Sequence, residues 1–374
     1  MGSHKIMFIF GTRPEAIKLA PVILAAESHN FKVNIVITNQ HKDLVKPILK
    51  GFGLQHHHEL SVAREALSQP MLLSKLAIEL SEKIDRIKPD VCVVQGDTTS
   101  AFMGALIAFH HKVHIAHVEA GLRTYEKYSP FPEEINRKLI THITDMHFVP
   151  TKNSMENLLK EGIKKKNIVV SGNTVIDALL HVISRKNTFT DPSLNELLKT
   201  GEKLVLITSH RRESFGLPLK NIISAIKILS RKYKNYLFVY PVHPNPNVKI
   251  VVEKLLSGIK NVKLIDPVEY FDFCLLMSKA HIILTDSGGI QEEAPALNIP
   301  IIVLRDVTER PEVVEVGAAK LVGTDTNKIV NTFNHIADTP SVYRRMSSAK
   351  NPFGNGKSSQ TIVKSLNKFL DTID

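Results

Sequence analysis

Short apolar runs recur along the chain, and each gives way to a turn and then to a stretch with helical periodicity. KIMFIF (5–10) is apolar from Ile6 onward. PEAIKLAPVILAAESH (14–29) follows as an amphipathic helix with Pro14 in its first turn, where a missing N–H costs nothing. KVNIVIT (32–38), DVCVVQG (90–96), KVHIAHVEAG (112–121), DMHFVPT (145–151) and NIVVSG (167–172) repeat the strand signal, with SAFMGALIAFHH as an intervening helix. A polar connector, SRKNTFTDPSLNELLKTGEK (184–203), breaks the rhythm. It restarts with LVLITSH (204–210), NYLFVYPVH (235–243), NVKLID (261–266), HIILTDSGG (281–289) and IPIIVLRD (299–306), and KLVGTD (320–325) offers a further strand.

The interior strands are apolar on both sides rather than alternating, which predicts parallel sheets covered on both faces. The expected fold is α/β: two doubly wound, Rossmann-like domains facing a cleft. The first spans residues 1–183 and takes back the amphipathic tail helix 357–374; the second spans 184–356. In such sheets ligands bind beyond the carboxyl ends of the strands. Six polar clusters follow strands here: GTRPE, GDTTS, HVEAGLR, SHRRES, PVHPN and DSGGIQEE. Gly, Asp, Thr and Pro make turns and caps wherever they fall. Six such clusters at one kind of strand end point instead to binding.

The 374 residues suit two domains, and 43% hydrophobic content is enough for a core in each. No apolar run reaches the ~18 residues of a membrane span, and the opening MGSHK lacks the apolar core of a signal peptide. Cys92 and Cys274 are the two cysteines, far apart in apolar segments, which fits a reducing, cytoplasmic setting without disulfides. The net charge of +11 suits acidic ligands. No aromatic-plus-basic motif accompanies it, and Trp is absent, so nucleic acid is not the expected partner.

Three suggestive stretches fail on inspection. FGNGKSS (353–359) has Asn351 where a phosphate loop needs its first glycine, and no strand leads into it. GFGLQH (51–56) has His56 in place of a third glycine. HHH (56–58) reads as a surface loop, because adjacent side chains diverge and no further ligand stands at metal spacing. No metal is expected.

TDSGGIQEEAPALNIP (285–300) puts small residues at a helix entrance and Glu292 and Glu293 one turn in. The carboxylates alone would be dipole partners; the bare entrance would also suit a phosphate. FGTRPEAIKLAP, GDTTS, HVEAGLRT, YSPFPEEINR, SGNTVIDAL, SHRRESFG, YPVHPNPNV and LTDSGGIQEEAPALNIPIIVLRDVTERPE decide between these. Together they resemble the non-hydrolysing UDP-N-acetylglucosamine 2-epimerases over nearly the whole chain. The resemblance implies a fold like type B glycosyltransferases and a homodimer. It also implies reversible interconversion of UDP-GlcNAc and UDP-ManNAc, without a cofactor, supplying ManNAc-type sugars for surface polysaccharide.

The residue roles it implies are specific. Ser287, Gly288 and Gly289 would meet the diphosphate, Glu293 the ribose, and Arg13 and Arg310 would add positive charge, with Phe273 also in the substrate site. Glu292 is left as a dipole partner or surface residue. Asp97, Glu119 and Glu133 would be the catalytic carboxylates, with His210 and Lys18 assisting. UDP would leave through a 2-acetamidoglucal intermediate, because C2 is not beside a carbonyl and is not acidic in the substrate. Which carboxylate serves which face stays open. Gln40, Glu133, Arg211 and His243 match an activating second sugar-nucleotide site; Asp43 and Ala66, with Arg64 nearby, depart from it. The competing readings are a hydrolysing epimerase that releases UDP and ManNAc, a type B glycosyltransferase, and a non-catalytic sugar-nucleotide sensor.

Overall fold

In a computed structural model, which describes residues 4–40, 43–61, 68–199 and 201–373, the apolar runs form the strands of two parallel sheets. The chain divides into two compact units: one runs to Leu180 and resumes at Phe353, and the other is His181–Pro352.

The first unit carries β1 (Lys5–Phe10), β2 (Lys32–Ile37), β3 (His58–Glu59), β4 (Val91–Gln95), β5 (His114–Val118), β6 (Met146–Val149) and β7 (Ile168–Val170). Their order is β3-β2-β1-β4-β5-β6-β7, all parallel. Phe8 of β1 lies opposite Ile35 of β2 on one side and Val93 of β4 on the other. The strand order therefore reverses between β1 and β4. Helix Gln69–Ile87 makes the crossing, burying Leu72, Leu76, Leu80 and Ile84 along one four-residue stripe against Met7, Ile9, Cys92 and Val94. Fully burying such a side chain is worth about 1.5–3 kcal/mol, which fixes the helix to that face.

The second unit repeats the plan with β8 (Lys203–Thr208), β9 (Tyr236–Pro241), β10 (Val262–Ile265), β11 (Ala280–Thr285), β12 (Ile301–Val303) and β13 (Ala319–Leu321). The order is β10-β9-β8-β11-β12-β13, again parallel and again reversing, here between β8 and β11. Ile222, Ile226, Leu229 and Phe333 pack over the strands Val205, Ile207 and Phe238. Reversal points are where doubly wound sheets open a crevice at their carboxyl edge.

One local expectation is corrected. HHH is not a loop throughout: His58 begins the edge strand β3, and His57 Nδ1 accepts the Ile35 N–H at 3.0 Å. The connector 184–203 contains a short helix, Pro192–Leu197, capped by the Asp191 carboxylate on the Ser193 N–H. The rejected FGNGKSS stretch leads into helix Ser358–Leu370. Its first N–H groups, from Ser358 and Ser359, are taken by Asp177 at 3.2 and 2.8 Å, so they are engaged internally. That helix lies against helix Arg13–Ser28 of the first unit. Among the described residues no helix is long and apolar enough to cross a membrane.

Candidate active site

In the first unit the site is built at the β1–β4 reversal. The turn after β1 needs glycine at position 11, because a Cβ there would lie 2.0 Å from Thr38 Oγ1. Helix Arg13–Ser28 then starts, and Glu15 reaches back so that its Oε2 accepts the N–H groups of Gly11 and Thr12 at 3.1 and 2.8 Å. Its other oxygen accepts the Thr98 hydroxyl at 2.7 Å. Glu15 is buried, and burial pushes its carboxyl up to about 7 despite these donors. Arg13 is half-buried and makes no ion pair among the described residues.

One turn beyond Arg13, Lys18 places Nζ 2.7 Å from Glu119 Oε1 and close to Oε2 as well. Glu119 follows β5 with φ of +63°, a conformation that L-residues with a Cβ rarely adopt. It holds that pose with its carboxylate also accepting the Gln95 amide N–H. A strained backbone at a polar site is kept only where surrounding contacts over-determine it.

Asp97 follows β4. Its carboxylate is clasped by the Arg137 guanidinium, and its main-chain oxygen accepts Asn136 Nδ2 at 2.8 Å. Burial raises the Asp97 carboxyl above its ordinary range; Arg137 opposes that, and the nearby Glu119 charge adds to it. Glu133, the first residue of helix Glu133–Ile143, is half-buried, and its side chain makes no hydrogen bond or ion pair among the described residues. Its neighbour Glu134 is buried and accepts the Thr124 and Tyr125 N–H groups, both at 3.1 Å, and Arg137 Nη1 at 3.2 Å. Burial alone would raise Glu134, but these donors outweigh it and hold the carboxyl low.

The second unit has the corresponding turns at β8 and β11. Asp286 is fully buried, and its Oδ2 accepts the His210 N–H at 2.8 Å, the Arg211 N–H at 2.9 Å and Ser209 Oγ at 3.1 Å. Its Oδ1 lies 3.8 Å from His210 Nδ1. His210 stacks on His243 with ring centroids 5.1 Å apart. Burial lowers the His210 pKa; Asp286 works against this, and His243 and Arg211 add to it.

Ser287 starts the short helix Gly288–Glu293. A Cβ on Gly288 would lie 2.8 Å from Arg310 Nη1, so this glycine admits the guanidinium. Gly289 is exposed, and Glu293 is buried at the helix end. Arg310 donates Nε to Glu292 at 2.8 Å and Nη1 to Glu309 at 2.7 Å. Glu292 is thus no surface residue: its helix turns it inward onto Arg310. Phe273 is half-buried on helix Tyr270–Ser278.

For the second-site candidates, Gln40 is buried and its Oε1 accepts Ser100 N at 3.1 Å and Ser100 Oγ at 2.7 Å. Arg211 Nη1 lies 3.8 Å from Glu309, and His243 Nδ1 accepts the Asn245 N–H at 3.1 Å. Asp43 is exposed with φ of +65°. Ala66 and Arg64 lie outside the described residues.

Sequence reasoning gave no role to Glu15, Gln95, Asn136, Arg137 or Asp286. Glu15, Gln95 and Asp286 lie in or beside the polar clusters after strands, whereas Asn136 and Arg137 lie on helix Glu133–Ile143. Arg137 had a usable signal, three residues after Glu134 on one helix face.

The sequence model described as UDP-N-acetylglucosamine 2-epimerase matches residues 24–367. A UDP-N-acetylglucosamine 2-epimerase of Neisseria meningitidis is 44% identical over 369 residues, covering 97% of this chain and 99% of the relative. A crystal structure of a Neisseria meningitidis UDP-GlcNAc 2-epimerase bound to UDP-GlcNAc superposes with a TM-score of 0.85 at 43% identity, covering 97% of this chain and all of that one. A glycosyltransferase of kitacinnamycin, at 13% identity and a TM-score of 0.67 over 99% of each chain, shares the fold alone.

Proposed function

Because the chain belongs to the UDP-N-acetylglucosamine 2-epimerase family and is an isomerase, we propose that it interconverts UDP-GlcNAc and UDP-ManNAc by eliminating and re-adding UDP. The observation that carries this reading is the bridge from Lys18 to Glu119, beside an Asp97 whose carboxyl is raised and clasped by Arg137. Proton removal from C2 needs a carboxylate at a set position. Proton return to the opposite face needs a second acid, and carboxyls with different environments suit such paired roles.

The substrate C2 carries hydrogen and an acetamido group, so direct deprotonation is unfavourable. Breaking the anomeric C–O bond first, or together with C2–H, sends the bonding pair to the departing UDP and leaves positive character at C1. Loss of the C2 proton to a carboxylate then forms the C1–C2 double bond of 2-acetamidoglucal. The reverse steps, with the proton delivered to the other face, give the epimer. Asp97, Glu119 and Glu133 serve the two faces of C2, and Lys18 pairs with Glu119 and orients its carboxylate. His210 assists at the leaving phosphate.

Nucleotide binding falls to the second unit. Ser287, Gly288 and Gly289 offer a hydroxyl and main-chain N–H groups to the diphosphate, and Glu293 accepts from the ribose. Arg13 and Arg310 balance the charge that grows on UDP, and Phe273 contributes to the substrate site. The protein acts as a cytoplasmic homodimer that supplies ManNAc-type sugars for surface polysaccharide.

The test is incubation with UDP-GlcNAc in D2O followed by NMR. The expected product is UDP-ManNAc carrying deuterium at C2, with a trace of glycal and UDP on long incubation. UDP-ManNAc that keeps its C2 protium would overturn the elimination route. Free ManNAc plus UDP would reassign the protein to hydrolysing epimerisation.

A further inference from the structure

Asp97 is held less by its own strand than by side chains from three other segments. Gly96, with φ of +69°, ends the strand run, and its N–H donates to the Val118 carbonyl at 3.0 Å. The Gly96 carbonyl is 2.7 Å from His117 Nε2. The next carbonyl, that of Asp97 itself, accepts Asn136 Nδ2 at 2.8 Å. The next side chain, Thr98, donates to Glu15. Two successive peptide oxygens, one on each side of the Asp97 Cα, are therefore pinned by side chains from β5 and from helix Glu133–Ile143.

From this geometry we propose that His117, together with Asn136, is a positioning residue that fixes the Asp97 carboxylate for proton transfer; the proposal rests on the reading of Asp97 as a proton-transfer group. A carbonyl oxygen only accepts, so His117 carries its proton on Nε2. The ring is fully buried, and burial pushes its pKa down to about 4, so it stays neutral near pH 7 and keeps that tautomer. His147 lies in register with it on β6, is also fully buried, and is held low by burial in the same way. A fixed neutral donor is what a rigid turn needs, since a charged one would demand a counterion in the core.

His117 is two residues before Glu119 on the same segment. One short stretch thus presents Glu119 and, through the Gly96 carbonyl, orients Asp97. A shift of an ångström in a proton-transfer group costs on the order of a hundredfold in rate. Losing the His117 donor should therefore register in kcat, while substrate binding by the second unit should not change.

The experiment compares wild type with His117→Phe, His117→Gln, Asn136→Leu and Asp97→Asn, measuring kcat, KM, UDP affinity by calorimetry, and melting temperature. Phe fills the space without donating; Gln places an amide donor near the position of Nε2. His117→Phe and Asn136→Leu are each expected to lower kcat by roughly ten- to a hundredfold, with KM and UDP affinity within about twofold of wild type. His117→Gln should recover most of the loss. Wild-type kcat in a folded His117→Phe overturns the proposal, as does a His117→Gln that melts like wild type yet is as slow as His117→Phe. If His117→Phe does not fold, Asn136→Leu decides: wild-type kcat there overturns the proposal. Wild-type kcat in Asp97→Asn sinks the assignment of Asp97 itself, a result distinct from failure of the positioning role.

Discussion

Lys18 and Glu119, 101 residues apart in sequence, meet with Nζ 2.7 Å from Oε1. The pair joins the helix after β1 to the strained residue after β5, so it spans both sides of the strand-order reversal. Lys18→Met leaves a nearly buried carboxylate with only an amide donor. We expect kcat to fall about a hundredfold or more and the melting temperature to drop by several degrees, since orphaning a buried charge costs about 3–5 kcal/mol. Steady-state kinetics and thermal melts check this; near-wild-type turnover in Lys18→Met would remove the pair from the mechanism.

Asp97→Asn and Glu293→Ala should fail in different ways. A proton-transfer group acts chiefly in the transition state, so Asp97→Asn is expected to lower kcat about a hundredfold with UDP affinity unchanged. A ribose contact is present in ground and transition states alike, so Glu293→Ala should weaken UDP and substrate together by about tenfold. Calorimetry with UDP separates the two, and equal losses of UDP affinity would refute the roles.

Arg123 tests stability apart from chemistry. Its guanidinium is fully buried, with Nε and Nη2 each 2.7 Å from Glu161 and Nη2 2.8 Å from Thr141 Oγ1. Glu161→Gln should cost about 3–5 kcal/mol, because a buried guanidinium loses its counter-charge. The double variant Arg123→Met/Glu161→Leu should be less destabilised than Glu161→Gln alone. Urea unfolding reads both, and additive losses would contradict the expected coupling.

Glu15 makes stability depend on pH in an unusual direction. Its carboxyl is raised from 4.5 to about 7 in the fold, so between those values the native state holds more protons than the unfolded chain. Its contribution is full below about pH 4.5 and is lost as pH rises through 7, up to about 3 kcal/mol. His117, pushed down to about 4, has the opposite slope, adding stability as pH rises from 4 to 6.5. Glu15→Gln should remove the first slope and leave the second. Urea denaturation of both proteins from pH 4.5 to 8 should show the variant gaining on wild type as pH rises. A constant difference would show that Glu15 titrates normally.

Substrate activation should be weak. Gln40 spends its carbonyl on Ser100, and the exposed Asp43 would repel a second diphosphate. Velocity against UDP-GlcNAc should be hyperbolic, and UDP-ManNAc should turn over without added UDP-GlcNAc. Strongly sigmoidal kinetics would show a working second site.

The strand runs were legible because a strand buried on both faces must be apolar throughout, and KIMFIF became β1 over the same residues. The placing of polar residues after strands was legible too: Asp97 follows β4 and Glu119 follows β5. Local rules misread segments whose tertiary surroundings overrode them. Edge pairing with β2 turned part of HHH into strand, and Arg310 drew Glu292 inward.

By itself the sequence determined the kinds of element, the parallel α/β class and the residue types at the site, because these follow from local periodicity and turn chemistry. The tertiary structure decided the strand order, since apolar strands pair through backbone groups that look alike in every run. It also decided the partners: Lys18 with Glu119, Arg137 with Asp97, His117 with the Gly96 carbonyl. A charge or donor finds its counterpart by position in space, and burial then sets what that contact does, as in the raised carboxyl of Asp97 and the neutral ring of His117.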